Sequence, residues 1–255
     1  MPASSNAPRR TLLLTGASRG IGAATCILAA QKGWDVAVNY TANAQAADTV
    51  VQQVQAAGGR AIAVQANVAD EAQVLAMFKK VRAELGTVQG LVNNAGVVDV
   101  SARLDEMSMA RWRRMFEINV LGSMLCAREA ILQMSTQHGG QGGSIVNLSS
   151  AAARLGSPGQ YLDYAAAKGA IDSFTLGLAK EIAGEGIRVN AIRPGLIDTE
   201  IHASGGLPNR VKDLEHLVPA KRGGSAMEVA QAIVWLLSDE ASYTTMSLID
   251  VSGGR

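Results

Sequence analysis

The sequence is poor in several features that define common protein classes. It has only two cysteines in 255 residues. Both Cys26 and Cys126 fall in apolar helical contexts, so we expect buried free thiols in a reducing compartment rather than a disulfide. No group of His, Cys, Asp and Glu has metal-ligand spacing, so we expect no catalytic metal. A formal net charge of +1 gives no electrostatic basis for binding nucleic acid or an anionic membrane.

Long apolar runs are also missing. No uncharged apolar run approaches the ~20 residues needed to cross a bilayer. Residues 1–10 are polar, with two prolines, and lack the apolar core of a secretory signal. The sequence therefore predicts a soluble, cytoplasmic protein. Its hydrophobic content of 48% is enough to bury one large core, so we expect residues 1–255 to form a single domain.

Strand-like and helix-like segments alternate along the whole chain. Short β-like runs occur at residues 11–15, 36–39, 61–65, 91–92, 145–148, 188–192 and 247–251. Helical segments lie between them, at residues 23–32, 49–57, 71–85, 109–134, 161–183 and 226–237. This alternation predicts an α/β fold, a doubly wound Rossmann domain with a mostly seven-stranded parallel sheet flanked by helices. The ligands of such sheets lie at the carboxyl ends of the strands.

A glycine-rich turn joins the first predicted strand to the first helix. Its spacing is Gly-x-x-x-Gly-x-Gly, and glycines at such a turn let backbone N–H groups and a helix N-terminus approach a pyrophosphate. A plain turn is the alternative, because a glycine-rich turn alone is a weak signal. We expect a dinucleotide to contact Gly16, Ser18, Arg19, Gly20, Ile21 and Gly22.

The end of the second strand bears on the choice of cofactor. An acid there would hold the adenosine ribose of NAD, but this chain has Asn39, Tyr40 and Thr41. The Arg19 guanidinium can instead pair with a 2′-phosphate, which an acid would repel. The sequence therefore favours NADP(H), with NAD(H) as the alternative.

Polar or small residues also follow three other strands. They stand where an adenine, a ribose or a nicotinamide would lie, although a generic turn fits such stretches almost as well. The residues predicted to contact the cofactor there are Asn67, Val68, Asn94, Ala95, Gly96, Pro194 and Gly195.

Residues 149–168 carry the strongest chemical signal. Tyr164 and Lys168 are four apart on a predicted helix, so they share one face. An adjacent ammonium favours the phenolate and lowers the tyrosine pKa, which makes Tyr164 usable as a general acid or base. Ser150, after the fifth strand, could offer its hydroxyl to a substrate oxygen, and this combination suits carbonyl chemistry. The alternative for the tyrosine and lysine is an ordinary surface pair.

A buried polar residue is predicted further upstream. Asn119 interrupts an apolar part of the long helix over residues 109–134, and a buried Asn needs partners. It could hold a helix kink and a water, or it could satisfy a neighbouring backbone group.

These residues resemble the short-chain dehydrogenase/reductase family over nearly the whole chain. The glycine turn, the Asn-Asn-Ala-Gly loop at residues 93–96, the Tyr-x-x-x-Lys pair and Pro194-Gly195 match its motifs, with Ile197 and Thr199 behind them. The resemblance implies an oxidoreductase that moves a hydride between NAD(P) and a carbonyl or secondary alcohol. It extends to the sugar-dehydrogenase and acyl-carrier ketoreductase branches, and implies a small-molecule substrate and a homotetramer.

The resemblance also implies a catalytic tetrad, in which every member has a role. Tyr164 passes the proton, and Lys168 lowers its pKa and holds the nicotinamide ribose. Ser150 binds the substrate oxygen, while Asn119 positions a water in the proton relay. Lys168 and Tyr164 are thereby expected to contact the cofactor as well as the substrate.

Three departures from the family pattern leave questions open. Asn67 stands where the family usually has Asp, and Thr245-Met246 replaces a common Thr-Gly, which should alter local packing. Tyr161 stands at the spacing from Lys168 found in the related enoyl reductases. Carbon–carbon double-bond reduction through Tyr161 is therefore an alternative, and a non-catalytic NADP-sensing scaffold is another.

We expect residues 200–223 to form a substrate lid, with His202, His216 and Trp112 as candidate contacts.

Overall fold

The computed structural model describes residues 9–255. Residues 1–8, on which most of the secretory-signal prediction depends, lie outside the described residues. The strands are β1 (Arg10–Leu14), β2 (Trp34–Tyr40), β3 (Ala61–Gln65), β4 (Val88–Asn93), β5 (Gly143–Leu148), β6 (Ile187–Pro194), β7 (Ile197–Asp198), β8 (Gly224–Ser225) and β9 (Leu248–Val251).

The helices alternate with these strands as the sequence predicts. They are α1 (Gly20–Gln31), α2 (Ala44–Ala56), α3 (Glu71–Glu84), α4 (Met109–Phe116), α5 (Gly122–Met134), α6 (Ala152–Leu155), α7 (Leu162–Ile182), α8 (Ile201–Ser204), α9 (Arg210–Leu214) and α10 (Ala226–Leu237). Single 3₁₀ turns lie at Leu104–Glu106, Thr136–His138, Ala183–Glu185, Glu215–Leu217 and Asp239–Ala241. The predicted helix over residues 109–134 is α4 and α5, joined by a π-helical turn at Glu117–Leu121.

Seven strands form one parallel sheet in the order β3-β2-β1-β4-β5-β6-β9. The predicted doubly wound α/β fold is confirmed. The strands read as apolar runs because helices cover both faces of the sheet. In β1, for example, Leu12, Leu13 and Leu14 are all fully buried. β7 and β8, which the sequence did not predict, form a separate two-stranded parallel ribbon.

The two faces of the sheet carry two separate apolar cores. Leu12 and Leu14 point to the core built with α1, α2 and α10, whereas Leu13 points to the core built with α3, α5 and α7. Each core holds one cysteine: Cys26 in the first and Cys126 in the second. Both are buried free thiols, as predicted, and burial raises the pKa of Cys126 to about 12 and that of Cys26 still further.

The segment that the sequence predicted as a lid contains α8, α9 and a 3₁₀ turn. None of the helices described over residues 9–255 combines the length and apolar character that a bilayer span requires. Over the same residues, no three His, Cys, Asp or Glu side chains come together in a way that could hold a metal ion.

Met246 adopts an unusual backbone conformation just before β9. Its φ is +62°, in the left-handed region where a Cβ clashes with the backbone. Its N–H donates to the Val189 carbonyl at 2.7 Å, which ties this turn to β6. Methionine therefore occupies a position that suits glycine, and the altered local packing expected at residues 245–246 stays a prediction.

Candidate active site

The predicted catalytic serine, tyrosine and lysine lie together at the carboxyl edge of the sheet. Ser150 follows β5, and Tyr164 and Lys168 lie one turn apart on α7. All three line one cleft. A hydroxyl, a phenol and an ammonium therefore meet in the same space.

Lys168 is buried, with 4% of its surface exposed. Its Nζ donates to the Leu148 carbonyl at 2.6 Å and lies 5.5 Å from the centre of the Tyr164 ring. Burial lowers the pKa of Lys168 from 10.5 to about 8, and the nearby charge of Asp172 opposes that shift. The ammonium is thus fixed at the end of β5 with a pKa close to neutrality.

The pKa of the Tyr164 phenol is set mainly by burial rather than by a neighbouring charge. Burial raises the pKa of Tyr164, and a hydrogen bond with Ser150 partly opposes that rise. The sequence predicted that Lys168 lowers this pKa; the net direction in the structure is the reverse, because desolvation outweighs the hydrogen bond with Ser150. A protonated phenol paired with Ser150 is a ready proton donor to an oxygen between them.

Asn119 lies inside the π-helical turn and is 1% exposed. Its Nδ2 donates to the Val97 carbonyl at 3.0 Å, and its Oδ1 accepts from the Val97 N–H at 2.9 Å. A Cβ on Gly96 would lie 2.7 Å from Asn119 Oδ1. The amide therefore holds the loop after β4 against the cleft, and π turns are frequent at functional sites. Its role in a water relay stays a prediction.

The glycine turn and the loop after β4 are locked together. Asn94 Nδ2 donates to the carbonyls of Thr15 and Gly16, at 2.9 and 2.8 Å. The Thr15 hydroxyl accepts from the N–H groups of Asn94 and Ala95, each at 3.0 Å. A Cβ on Gly22 would lie 2.6 Å from the Gly16 carbonyl oxygen and 2.9 Å from Asn94 Nδ2. Only glycine permits this close approach of the two motifs.

Asn39 has a different position from the one predicted. It is 1% exposed, and its Oδ1 accepts from the Gly16 N–H at 3.2 Å. Its Nδ2 donates to the carbonyls of Val64 and Ala66, at 3.2 and 3.1 Å. The amide is thus occupied beneath the glycine turn, and Asn39 shapes the cofactor groove without side-chain atoms left for a ribose. Thr41 at the same strand end is exposed.

The start of α1 suits the pyrophosphate of a bound dinucleotide. No side chain in residues 9–255 caps the first turn of α1, which also has no acid, so its N–H groups and the helix dipole can take a pyrophosphate. Arg19 begins that turn and is exposed, and Ser18 is half-buried beside it. The turn therefore fits a dinucleotide phosphate.

Asn67 and Val68 differ in how open they are. Asn67 Oδ1 accepts from the Ala69 N–H at 3.1 Å, which closes a tight turn at the end of β3. Val68 is buried, and a Cβ on Gly122 would lie 2.6 Å from its Cγ2. Of the two, Asn67 is the half-buried one, and its contact with an adenine stays a prediction.

The cleft brings most of the remaining predicted residues together. Besides Ser150, Tyr164 and Lys168, the residues that line the cleft include Ile21, Asn94, Gly96, Pro194, Gly195, Ile197 and Thr199. His202 also lines the cleft, with Nε2 2.9 Å from the Ile197 carbonyl, whereas His216 and Trp112 are not among its lining residues. Sequence reasoning missed Arg210 and Arg255, because nothing in their local pattern connects them with residues 149–168.

The Tyr161 hydroxyl makes a structural hydrogen bond to the backbone and does not pair with Lys168. Its hydroxyl donates to the Gly205 carbonyl at 3.1 Å, and the Arg210 guanidinium lies 5.2 Å from the centre of its ring. Burial raises the pKa of Tyr161. Its phenol thus joins the start of α7 to the segment after β7.

Comparisons with known proteins agree with this architecture. A family model described as enoyl-(acyl carrier protein) reductase matches residues 16–255. The chain is 53% identical over 243 residues to the uncharacterized oxidoreductase YgfF of Escherichia coli, covering 95% of this chain and 98% of that protein. It is 37% identical over 246 residues to the 3-oxoacyl-(acyl-carrier-protein) reductase FabG of Staphylococcus aureus, covering 96% and 97%. A solved short-chain type dehydrogenase/reductase from Mycobacterium marinum superposes with a TM-score of 0.90 at 32% identity, over 96% of this chain and 94% of that chain.

Proposed function

Because the chain belongs to the short-chain dehydrogenase/reductase family of oxidoreductases, we propose that it transfers a hydride between NADP(H) and a carbonyl or secondary alcohol. The observation that carries the proposal is the meeting of Ser150, Tyr164 and Lys168 in one cleft beside the glycine turn. A protein that only bound the cofactor would not need this trio.

The cofactor would be held by the edge that the glycine turn and the loop after β4 form. The N–H groups at the start of α1 would take the pyrophosphate, and Lys168 would hydrogen-bond the nicotinamide ribose. When bound, the nicotinamide supplies or accepts the hydride. The chain itself binds the substrate, orients it and moves the proton.

The proton is handled by three side chains. Ser150 donates a hydrogen bond to the substrate oxygen, and Tyr164 gives that oxygen its phenolic proton as the carbonyl is reduced. Lys168 stabilises the phenolate that remains. Asn119 acts on this centre through Val97 and Gly96, whose loop it holds in place.

The preference for NADP(H) depends on Arg19. Its guanidinium is exposed at the mouth of the turn, and the end of β2 carries no acid that would repel a 2′-phosphate. Only NADPH carries the 2′-phosphate that Arg19 would pair with. We therefore expect Arg19→Gln to raise the KM for NADPH at least tenfold and to leave the KM for NADH nearly unchanged. Arg82→Gln is the matched control, because Arg82 is exposed on α3. Equal KM values for the two cofactors in the unmodified protein would refute the preference.

Reduction of a carbon–carbon double bond is the second candidate. It has support because the matching family model is described as an enoyl reductase. Carbonyl reduction is favoured because Tyr164 is the phenol that pairs with Ser150, whereas the Tyr161 hydroxyl donates its hydrogen bond to the Gly205 carbonyl.

Two tyrosine variants separate these candidates. NADPH oxidation is followed across sugars, β-ketoacyl thioesters, diketones, quinones and enoyl thioesters. We expect turnover of a carbonyl class that Tyr164→Phe abolishes and Tyr161→Phe retains. Turnover of enoyl thioesters alone, lost in Tyr161→Phe, would assign the second candidate. NADPH binding without turnover of any member would indicate a cofactor-sensing scaffold instead.

We also propose a homotetramer. Leu121, Met124 and Leu132 are exposed on neighbouring positions of one helical face along α5 and the turn before it, and Leu162 is exposed at the start of α7. Exposed apolar side chains that share one helical face favour an interface between copies. Size-exclusion chromatography with light scattering should give four times the chain mass of 26.5 kDa, and a monomer would refute the proposal.

A further inference from the structure

The cleft is lined by positively charged side chains and, among the described residues, by no acidic side chain. The charged side chains that line the cleft are Lys168, Arg210 and Arg255, and no aspartate or glutamate lies among its described lining residues. Lys168 is already committed to the catalytic centre through Leu148. The two arginines are left with no assigned role.

Arg210 is held in position by an aromatic platform. It begins α9 and is half-buried, and its guanidinium lies 5.2 Å from the centre of the Tyr161 ring, a cation–π contact. The Tyr161 hydroxyl is in turn fixed by the Gly205 carbonyl at 3.1 Å. The guanidinium is therefore placed beside the catalytic helix rather than left free in solvent.

Arg255 lines the same cleft as Arg210. Burial lowers the pKa of Arg210, the Tyr161 phenol opposes that shift, and the positive charge of Arg255 adds to it. The main chain of Arg255 is itself held, because Arg154 Nη2 donates to its carbonyl at 3.1 Å and also pairs with Asp250. Two half-buried like charges thus line the same cleft.

Neither arginine has an acidic partner within ion-pair distance among residues 9–255. Other partly buried arginines of this chain have partners within the protein: Arg111 pairs with Asp163 at 2.7 Å, Arg193 pairs with Asp172 at 2.8 Å, and Arg188 donates to the Leu236 and Ser238 carbonyls at 2.7 and 3.1 Å. Half-buried charges without counter-ions are costly, because desolvation is not repaid. An anion between the two guanidinium groups would repay it.

We propose that Arg210 and Arg255 bind an anionic group, a carboxylate or a phosphate, on the carbonyl substrate. The inference rests on the proposed function and narrows its substrate class to acidic carbonyl compounds. Arg210 lies against the Tyr161 ring and Arg255 is contacted by Arg154 of α6, whereas the phosphates of the cofactor are assigned to the glycine turn at the start of α1. Guanidinium forks suit either anion, because they bind both with paired hydrogen bonds.

Matched substrates test the proposal directly. The keto acids 3-oxobutanoate, 4-oxopentanoate and 5-oxohexanoate are each compared with their methyl esters, and dihydroxyacetone phosphate is compared with dihydroxyacetone. We expect kcat/KM to be about 10- to 100-fold higher for the acid than for its neutral partner, as one or two charge-assisted hydrogen bonds imply. The chain length with the largest ratio reports the distance from the catalytic centre to the arginines. The phosphate pair distinguishes phosphate from carboxylate recognition.

Variants of the two arginines assign the effect to them. Arg210→Gln and Arg255→Gln should each raise the KM for the preferred acid about tenfold or more, and lower kcat/KM for acids more than for esters. Arg210→Lys, which keeps the charge, should recover part of the loss, and Arg82→Gln should not change the ratio. An unfolding midpoint equal to that of the unmodified protein shows that each variant folds.

A binding measurement keeps this inference separate from the proposed function. Glutarate and inorganic phosphate are titrated calorimetrically into the unmodified protein and into Arg210→Gln. Weaker binding of either anion to the variant supports the site even if no carbonyl compound is turned over, a result that would refute the proposed function alone. Equal turnover of esters and acids, or equal anion binding by both proteins, would overturn the inference and leave carbonyl reduction standing.

Discussion

Replacing Lys168 by methionine should make the protein more stable while it stops catalysis. The Lys168 ammonium is buried at the end of β5 with one hydrogen bond, to the Leu148 carbonyl. Its pKa falls from 10.5 to about 8 because burial disfavours the charge. Methionine has a similar length and no charge, so it removes that penalty without opening a cavity.

The magnitude follows from the pKa of Lys168. A drop from 10.5 to about 8 costs the folded protein about 3 kcal/mol at pH 7, at about 1.4 kcal/mol for each pKa unit. Losing the hydrogen bond to the Leu148 carbonyl costs about 1 kcal/mol. The variant should therefore gain about 2 kcal/mol in the free energy of unfolding, or about 4–8 °C in Tm for a chain of this size.

The gain must depend on pH with a defined sign. Between pH 8 and pH 10.5 the unfolded chain still binds a proton at Lys168 while the folded protein has lost it, so the unmodified protein becomes more stable as pH rises. The penalty is complete below pH 8 and falls to about 1 kcal/mol at pH 10. The advantage of Lys168→Met should therefore nearly vanish there.

Urea unfolding at pH 7 and pH 10, without added cofactor, measures the effect. Lys180→Met is the matched control, because Lys180 is exposed on the same helix and should change stability by less than about 0.5 kcal/mol. A Lys168→Met protein no more stable than the unmodified one at pH 7, or equally stabilised at both pH values, would refute the reasoning.

Three further outcomes are expected. Met246→Gly should raise Tm by about 1–4 °C in a thermal melt, because relief of about 1–2 kcal/mol of left-handed strain exceeds the entropy cost of a glycine; a lower Tm would contradict the strain. Gly22→Ala should weaken NADPH binding at least tenfold by fluorescence titration, since its Cβ would lie 2.6 Å from the Gly16 carbonyl, whereas Gly177→Ala, with no atom within 4 Å, should leave binding unchanged and add up to about 1 kcal/mol of stability. The reductive rate should fall as pH rises through about 8, where Lys168 loses its proton; a flat profile from pH 7 to pH 9 would count against its charged role.

The layered fold could be predicted from the sequence because its signals are local. Strands such as β1 are buried on both faces and so read as short apolar runs, and helices such as α10 have the bounds that the pattern predicted. Tyr164 and Lys168 meet because a four-residue spacing on a helix fixes their relation. Their shared cleft with Ser150 follows from the parallel order of the strands.

Other features depend on contacts between distant parts of the chain. The π turn around Asn119 has no compositional signature, and its reason is the Val97 backbone 22 residues away. Asn39 was expected to face the cofactor, but the carbonyls at the end of β3 draw its amide beneath the turn. Arg210 gains its meaning only from Tyr161 and Arg255, which no local pattern connects to it.

The two cysteines lie in different cores, so the alkylation of each thiol can report the opening of its own core. The Cys26 and Cys126 thiols are buried and their pKa values are raised, so a thiolate-directed alkylating reagent cannot modify them in the closed protein. Each is modified only when its own layer of helices leaves the sheet. Mass spectrometry after timed alkylation would therefore time the opening of one face independently of the other. Repeating the measurement with a ligand bound at the carboxyl edge of the sheet would show whether that ligand slows the opening of both helical layers or of only one.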